Sequence, residues 1–364
     1  MKDRIIGFDL ARAMALLGMI IVNYKLVMGA ANNGSAWLVS LAGLLDGRAA
    51  ATFVVLAGIG VSLVSGGALK SGEPKAISAI RNTLLKRALF LFVVGMLYTP
   101  LWPADILHFY GVYIAAGAVF LGCSTRTLSI LGLLIVTAFV PTFFSLDYER
   151  EWNWKTLEYS GYWTPEGFFR NLFFNGFHPV LPWLAFFLLG MVVGRWDVTD
   201  PAIRRRLLLT GLLVALAAEG GSRLLIHTLS AGADPAGREA LEAMFGTGPM
   251  PPMPLYMLAG AAWAVAVIAL CGGIGNRCRN SRWIRPFVAT GQLSLTLYVA
   301  HVIVGMGPLE EIGRLENQSL GFSLLFSFGF FAASVAFAWG WSCRFKRGPL
   351  EMFMSYLTAP RRAA

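Results

Sequence analysis

Asp105 and His108, three positions apart in the stretch LWPADILHFYG, form the most chemically suggestive pair in this sequence. If the segment is helical, the two side chains lie one turn apart, and the carboxylate then raises the basicity of the imidazole and fixes its tautomer. Such an imidazole accepts a proton from a hydroxyl or amine group. We therefore rank His108 as the first candidate for a catalytic base.

The other histidines are candidates of lower rank. His301 shares a predicted helix face with Ser294 and Tyr298 and ranks second. His178, which is followed by a proline, ranks third, and His227 is the weakest because it ends a predicted helix. A lone histidine inside a membrane helix more often hydrogen-bonds to a neighbouring helix than acts as a catalyst.

The first apolar stretch contains polar residues that a membrane tolerates poorly. Asp9 and Arg12 are three residues apart and are expected to pair across one helical turn. The favoured interpretation of this pair is structural, at the cytoplasmic rim. Asn23, near the outer end of the same stretch, is better placed for chemistry.

The composition decides the class of protein. Of the 364 residues, 56% are hydrophobic and 14% are charged, whereas soluble domains contain about 25% charged residues. A soluble chain of this size cannot bury so much apolar surface. The sequence therefore predicts an all-α polytopic integral membrane protein, and it excludes disordered, collagen-like and disulfide-rich secreted classes.

About ten stretches are long and apolar enough to cross the hydrocarbon core of a bilayer, which needs roughly 20 residues each. We expect one transmembrane domain over 1–364, with long outer loops near 146–170 and 229–252. The aromatic residues of the first loop are assigned to an interfacial belt in preference to a substrate-binding cap. The predicted spans lie near 8–28, 47–66, 84–101, 104–123, 127–145, 176–194, 205–228, 253–274, 286–308 and 319–343.

The distribution of charge predicts the orientation. The formal net charge is +10, and most Lys and Arg residues fall in alternate loops, as expected for cytoplasmic loops. Both termini are therefore predicted to be cytoplasmic, in a bacterial inner membrane, and nucleic-acid binding is not expected. The basic residues at the two ends are Lys2, Arg4, Arg361 and Arg362, and those in the outer loops are Arg150, Lys155, Arg238 and Arg314.

The four cysteines, Cys123, Cys271, Cys278 and Cys343, fall at predicted cytoplasmic helix ends or in an inner loop. That compartment is reducing, so we expect free thiols. Their spacing fits no zinc pattern, and no metal is expected.

Several motifs, in order along most of the chain, carry a family resemblance. The opening RIIGFDLARAMALLGMIIVNY resembles the first helix of the heparan-alpha-glucosaminide N-acetyltransferase family. The segments GQLSLTLYVAHV (291–302) and KRGPLE (346–351) resemble the YeiB-like bacterial membrane proteins of the same transmembrane acyltransferase superfamily. DILHFYG and HPVLPWLAFFLLGMVVGR fit the same pattern.

The resemblance implies an acyltransferase that takes an acyl group from acyl-CoA, such as acetyl-CoA, and passes it across the membrane to a small-molecule or glycan acceptor. Asn23 matches the active-site asparagine of the family and is the implied oxyanion donor. The family's catalytic histidine follows the first helix, but the corresponding KLVMGAANNGSAWL contains none. Residues that would hold the CoA phosphates are Arg12, Arg81, Arg87, Arg282 and Arg285. The enrichment of arginine on the cytoplasmic side of membrane proteins explains such charges without any ligand.

The leading hypothesis is thus acyl transfer with a histidine base near the outer face. The alternative is a proton-coupled transporter or flippase, in which the pairs Asp9–Arg12 and Glu219–Arg223 and the histidines form a proton or substrate pathway. No matched pair of broken helices is visible in the sequence, which favours the enzyme. A membrane-embedded sensor or assembly factor without turnover is a third reading. The lipid bilayer is an expected partner, and a homodimer is left open.

Overall fold

The computed structural model describes residues 5–154 and 156–359. The chain is 75% helical with almost no sheet, which confirms the all-α class. Five basic residues used in predicting the orientation lie outside the described residues: Lys2, Arg4, Lys155, Arg361 and Arg362.

Helices dominate the first part of the chain, and a single short antiparallel hairpin follows them within the described residues. The elements are α1 (Ile6–Val27), α2 (Ala36–Gly43), α3 (Arg48–Ser71), α4 (Pro74–Tyr98), α5 (Leu107–Val119), α6 (Thr125–Ser145), β1 (Trp152–Asn153) and β2 (Glu158–Tyr159).

The second part of the chain is helical and includes two π-helical turns, at Asn171–Asn175 and His301–Met306. The helices are α7 (Pro165–Arg170), α8 (Val180–Val193), α9 (Pro201–Leu229), α10 (Pro235–Phe245), α11 (Pro254–Arg277), α12 (Arg285–Gln292), α13 (Ser294–Ala300), α14 (Gly307–Glu311), α15 (Leu320–Ser342) and α16 (Pro349–Thr358).

Several of these helices have the length and apolar composition of membrane spans. Within residues 5–154 and 156–359 there are six such helices, or eight if two bent pairs each count as one span. Large apolar side chains on their surfaces are open to the surroundings, as at Leu133 (65% exposed), Leu213 (70%) and Leu325 (74%). A bilayer solvates such side chains, so the chain is a multi-pass membrane protein.

Two of the ten predicted spans do not meet the same criteria. The stretch 84–101 corresponds to the end of α4, whose first turns contain Lys75 and Arg81. The stretch 104–123 corresponds to α5, which is 13 residues long. At 1.5 Å per residue α5 covers roughly 20 Å, less than the core of about 30 Å. As predicted, α4 and α5 form a tight hairpin and pack closely against each other.

In the described part of the chain, two pairs of apolar helices are bent at a break of a few residues. The predicted span 286–308 bends by 75° between α12 and α13. A bend of 48° separates the π turn at Asn171–Asn175 from α8, at the start of the predicted span 176–194. The second break includes Pro179, which has no N–H to continue the helix before it. The first break, at Leu293, has a tertiary cause that is described below.

The chain divides into two compact units, each built from separate stretches. Unit 1 comprises Met1–Phe53, Val198–Leu208 and Ala264–Leu357, and unit 2 comprises Val54–Asp197, Leu209–Trp263 and Thr358–Ala364. In unit 1, α1 packs against α12, α13 and α15. The close approach of α12 to α1 requires glycine at 291, because a Cβ there would overlap the backbone carbonyl of Asp9.

In unit 2, the α4–α5 hairpin packs through α5 against α8, and α8 packs against α6. The two helices of the hairpin approach closely at Gly95, where a Cβ would overlap the backbone of His108. The loop near 146–170 is a folded hairpin, β1–β2, followed by α7, and the loop near 229–252 contains α10.

Candidate active site

The central contact of unit 1 joins Asn23 on α1 to His301 at the end of α13. The side-chain Nδ2 of Asn23 lies 2.9 Å from Nε2 of His301. His301 is fully buried and Asn23 is 8% exposed. The structure therefore brings the predicted oxyanion donor together with the second-ranked histidine.

Hydrogen bonds define the tautomer of His301. Its Nδ1 contacts the backbone carbonyl oxygen of Tyr298. A carbonyl oxygen only accepts, so Nδ1 carries the proton and donates it. Nε2 then has the free lone pair and accepts a hydrogen bond from the Asn23 amide. This is the tautomer that a general base needs, with Nε2 as the proton acceptor.

Tyr24 fixes the backbone at the same position. Its hydroxyl donates to the backbone oxygen of His301 at 2.9 Å, and its ring packs against Phe326 and Phe330 of α15. His301 opens a π-helical turn, a feature that is frequent at functional sites. A Cβ at Gly305, inside this turn, would overlap the Tyr24 hydroxyl, so glycine is required there.

Glu351 explains why the span breaks before His301. Its Oε1 accepts from the backbone N–H of Leu295 at 2.9 Å and of Thr296 at 3.2 Å, and its Oε2 accepts from the Thr296 hydroxyl. The first N–H groups of a helix lack partners within the helix, and a carboxylate there is favoured by the helix dipole. Glu351 thus caps α13 from α16, 55 residues away from Thr296.

Asp9 is a buried charged residue of unit 1. It is 1% exposed, and its Oδ1 accepts from Nη1 of Arg12 at 2.9 Å, which confirms the predicted pairing. Its Oδ2 lies 3.4 Å from Nε2 of Gln292, the last residue of α12. The side chain of Arg12 remains 30% exposed. The pair therefore joins α1 to the broken span that leads to His301.

In unit 2, the predicted Asp105–His108 pair is formed. Nδ1 of His108 lies 3.0 Å from Oδ2 of Asp105, and the same oxygen accepts from the backbone N–H of Leu107 at 2.9 Å. Asp105 is fully buried, and His108 is 1% exposed. The Asp105 carboxylate thus caps the first turn of α5 and at the same time orients the His108 imidazole.

His178 lies in the break before α8, also in unit 2. Its backbone oxygen accepts from the Tyr113 hydroxyl at 2.5 Å, and its ring lies 4.7 Å from that of Trp183, edge to face. The Phe109 ring, adjacent to His108 in the chain, is 6.0 Å from the His178 ring. His108 and His178, the histidines ranked first and third, therefore belong to one aromatic cluster.

The candidate CoA-binding residues fall in both units. Arg12, Arg282 and Arg285 belong to unit 1, and Arg81 and Arg87 belong to unit 2. The guanidinium of Arg282 lies 5.7 Å from the ring centroid of Trp283, and Nε of Arg81 donates to the backbone oxygen of Ala118 at 3.2 Å. Arg285 is the first residue of α12.

Sequence reasoning did not assign roles to several of these residues. Tyr24 and Glu351 lie inside the VNY and KRGPLE motifs, so a motif-by-motif reading would have found them. Lys25 is different: it is 5% exposed, and its Nζ lies 2.7 Å from Oδ2 of Asp46. A lysine two residues after Asn23 in an apolar helix was the signal for this partly buried ion pair.

Comparison with known families defines the class of protein. Residues 4–230, more than half of the chain, match the catalytic region of heparan-alpha-glucosaminide N-acetyltransferase. Residues 198–361 match a family described as protein of unknown function (DUF418). A search of curated proteins gave no match.

The chain therefore belongs to the heparan-alpha-glucosaminide N-acetyltransferase catalytic family, and the resemblance to membrane acyltransferases is confirmed. Family membership supports a membrane acetyltransferase-type function. Asn23 lies in the first matched region and His301 in the second. The buried pair thus joins residues from both matched regions.

Proposed function

We propose that this protein is an acyltransferase that moves an acyl group, of which acetyl is the simplest, from acyl-CoA to a sugar or other hydroxyl or amine acceptor at the outer face of the membrane. The observation that carries the proposal is the buried contact between Asn23 Nδ2 and His301 Nε2. In a chain without a histidine after the first helix, His301 supplies an imidazole beside the matching asparagine.

In the proposed reaction, the acceptor hydroxyl or amine donates its hydrogen bond to His301 Nε2 and displaces the Asn23 amide. The imidazole takes the proton as the acceptor oxygen or nitrogen bonds to the thioester carbonyl carbon. Asn23 is then free to donate to the negative carbonyl oxygen, which is typically a large contribution to catalysis. The carbon–sulfur bond breaks, and His301 returns the proton to the CoA sulfur.

The proposal also includes the membrane topology and the residues that bind CoA. The chain forms one transmembrane domain with about ten spans and both termini cytoplasmic, in a bacterial inner membrane. Arg12, Arg282 and Arg285 of unit 1, the unit that contains Asn23 and His301, are the candidate ligands of the CoA phosphates, because a guanidinium group forms paired hydrogen bonds with phosphate oxygens. Arg12 is suited to this role because its side chain stays partly exposed while it pairs with Asp9.

A transporter or flippase is the second candidate, and one observation favours it. Residues 5–154 and 156–359 contain two bent helix pairs, whereas no matched pair of broken helices is visible in the sequence. Broken helices often form substrate sites in transporters. Against this reading, the break in unit 1 places His301 against a matching active-site asparagine, which transport does not require.

The experiment measures acyl-CoA turnover by purified protein in nanodiscs. Water replaces the unidentified acceptor, and release of free CoA from acetyl-CoA is followed by chromatography. We expect His301→Ala to lower turnover by about 10²–10⁴-fold, the usual contribution of a general base. We expect Asn23→Ala to lower it by about 10²–10³-fold.

The matched control is His227→Ala, which removes an exposed histidine at the end of α9. Its turnover should equal that of the wild type. Normal turnover by both His301→Ala and Asn23→Ala would reject the proposed site. Loss of turnover in His108→Ala alone would move the base to the Asp105–His108 pair. Counter-flow of a solute without CoA release would favour the transporter.

A further inference from the structure

Unit 2 contains a group of buried ring nitrogens that lack partners. Within the described part of the chain, no hydrogen-bond partner contacts His108 Nε2, His178 Nδ1 or Trp183 Nε1. Trp183 is fully buried and His108 is 1% exposed. Buried polar atoms are nearly always hydrogen-bonded, so a group of unpaired ones indicates a ligand or bound water.

The state of His108 defines one side of the site. Its Nδ1 faces the Asp105 carboxylate at 3.0 Å and donates to it. Nε2 of the neutral ring then has a free lone pair, and it accepts a hydrogen bond from whatever binds.

Trp183 requires a hydrogen-bond acceptor from the ligand, whereas His108 requires a donor. An indole nitrogen only donates, so Nε1 of Trp183 needs an acceptor. The Trp183 ring lies 4.7 Å from the His178 ring, and His178 lies 6.0 Å from Phe109. The His108 ring lies 4.0 Å from the same Phe109. The unpaired atoms thus belong to one continuous set of neighbouring rings.

The β1–β2 hairpin and its flanks cover this set. The Tyr162 ring lies 6.5 Å from His108, and the Trp152 ring lies 5.1 Å from Phe177, next to His178. Asn175 anchors the cover: its backbone oxygen accepts from Trp152 Nε1 at 2.6 Å, and its Oδ1 accepts from the Tyr159 hydroxyl at 3.0 Å. The loop is therefore a folded cap as well as an aromatic surface.

Burial favours the neutral form of Tyr159, a residue of the cap. It raises the pKa of Tyr159 to about 12, with the hydrogen bond to Asn175 acting in the opposite direction. The phenol therefore stays neutral at physiological pH and remains a donor to Asn175.

We propose that Asp105, His108, His178 and Trp183 form a second binding site, under the β1–β2 cap, for a neutral molecule that carries several hydroxyl groups. A hydroxyl both donates and accepts, so one such molecule satisfies His108 Nε2 and Trp183 Nε1 together. The Asp105 carboxylate already accepts hydrogen bonds from Nδ1 of His108 and from the backbone N–H of Leu107. An anionic ligand would therefore enter a low-dielectric site beside a carboxylate and without a counter-charge.

The test uses binding and needs no acyl donor. Purified protein in a detergent without a sugar headgroup is titrated with methyl glucoside and with glycerol, and tryptophan fluorescence is recorded. We expect a saturable change for at least one of the two probes and none for glucose 6-phosphate. Trp183→Phe keeps an aromatic ring and removes the donor, and we expect it to weaken binding about tenfold, since one buried hydrogen bond is lost.

The matched control is Trp163→Phe, because Trp163 lies in the same loop and is 69% exposed. It should bind like the wild type, and so should His301→Ala. His108→Ala should also weaken binding by about tenfold or more. Absence of saturable binding, equal binding of glucose 6-phosphate, or unchanged affinity in both His108→Ala and Trp183→Phe would overturn the proposal. None of these outcomes bears on the acyl-transfer assay.

Discussion

Nδ2 of Asn23 and Nε2 of His301 lie 2.9 Å apart, although the two residues are 278 positions apart in the chain. The contact exists because α12 and α13 break at Leu293 and because the π-helical turn starts at His301. Tyr24, the neighbour of Asn23 on α1, holds the backbone oxygen of His301. One short stretch of α1 therefore binds both the side chain and the backbone of the histidine.

Glu351 should control the position of His301 without contacting it. Glu351→Ala removes the acceptor for two N–H groups at the start of α13, and we expect a loss of about 1–2 kcal/mol of stability. We also expect a fall in the rate of acyl-CoA turnover with little change in KM, because the cap lies on the helix of the base. Glu351→Gln keeps an acceptor oxygen and should recover part of the rate.

The control for Glu351 is Glu310→Gln, which changes an exposed glutamate on α14. This variant should match the wild type in melting temperature and turnover. If Glu351→Ala has a normal rate and KM at a lowered melting temperature, Glu351 is a structural cap only.

Gly305 should tolerate no larger residue. Gly305→Ala places a Cβ where the Tyr24 hydroxyl lies, so either the hydroxyl or the π-helical turn must move. Overpacking of this kind typically costs about 1–3 kcal/mol, and we expect reduced turnover with it. The measurement is the melting temperature in detergent, together with the release of CoA.

Gly307→Ala is the matched control, two residues further along the same segment. A Cβ at Gly307 meets no atom within 4 Å, and its backbone is already in the right-handed helical region. We expect this variant to be as stable as the wild type or slightly more stable, by up to about 1 kcal/mol. Equal destabilisation by the two alanines would contradict the role of Tyr24.

The Asp9–Arg12 pair should show strong coupling. Arg12→Met removes one partner of the buried Asp9 carboxylate. Because Arg12 is 30% exposed, we expect a loss smaller than the about 3–5 kcal/mol of a fully buried pair. The double variant Asp9→Asn with Arg12→Met removes both charges and should be more stable than Arg12→Met alone. Additive losses in the melting temperatures of the single and double variants would show that the pair is not energetically coupled.

Cysteine labelling should report the orientation. If both termini are cytoplasmic, a maleimide that cannot cross membranes should label none of the four cysteines in intact cells. After lysis it should label the exposed Cys343. An added cysteine at the exposed Trp163 of the outer loop should react in intact cells. Strong labelling of Cys278 in intact cells would reverse the predicted orientation.

The sequence by itself determined the class of the protein and its local pairs. Composition implies a membrane protein, because no soluble fold of this size covers so much apolar surface. Asp105 with His108 and Asp9 with Arg12 were predictable because residues three apart on a helix are neighbours whatever the tertiary structure is. The α4–α5 hairpin was predictable as well, because only a few residues connect the two apolar stretches.

Only the tertiary structure decided which groups meet across helices. Apolar periodicity does not reveal the breaks at Leu293 and before α8, because a broken span is as apolar as a continuous one. The break at Leu293 is stabilised by Glu351, a carboxylate that satisfies the free N–H groups of α13 from 55 positions away. For the same reason the pairing of Asn23 with His301 was not predictable: it depends on the register between α1 and a helix that restarts in a new direction, and a local pattern does not encode that register.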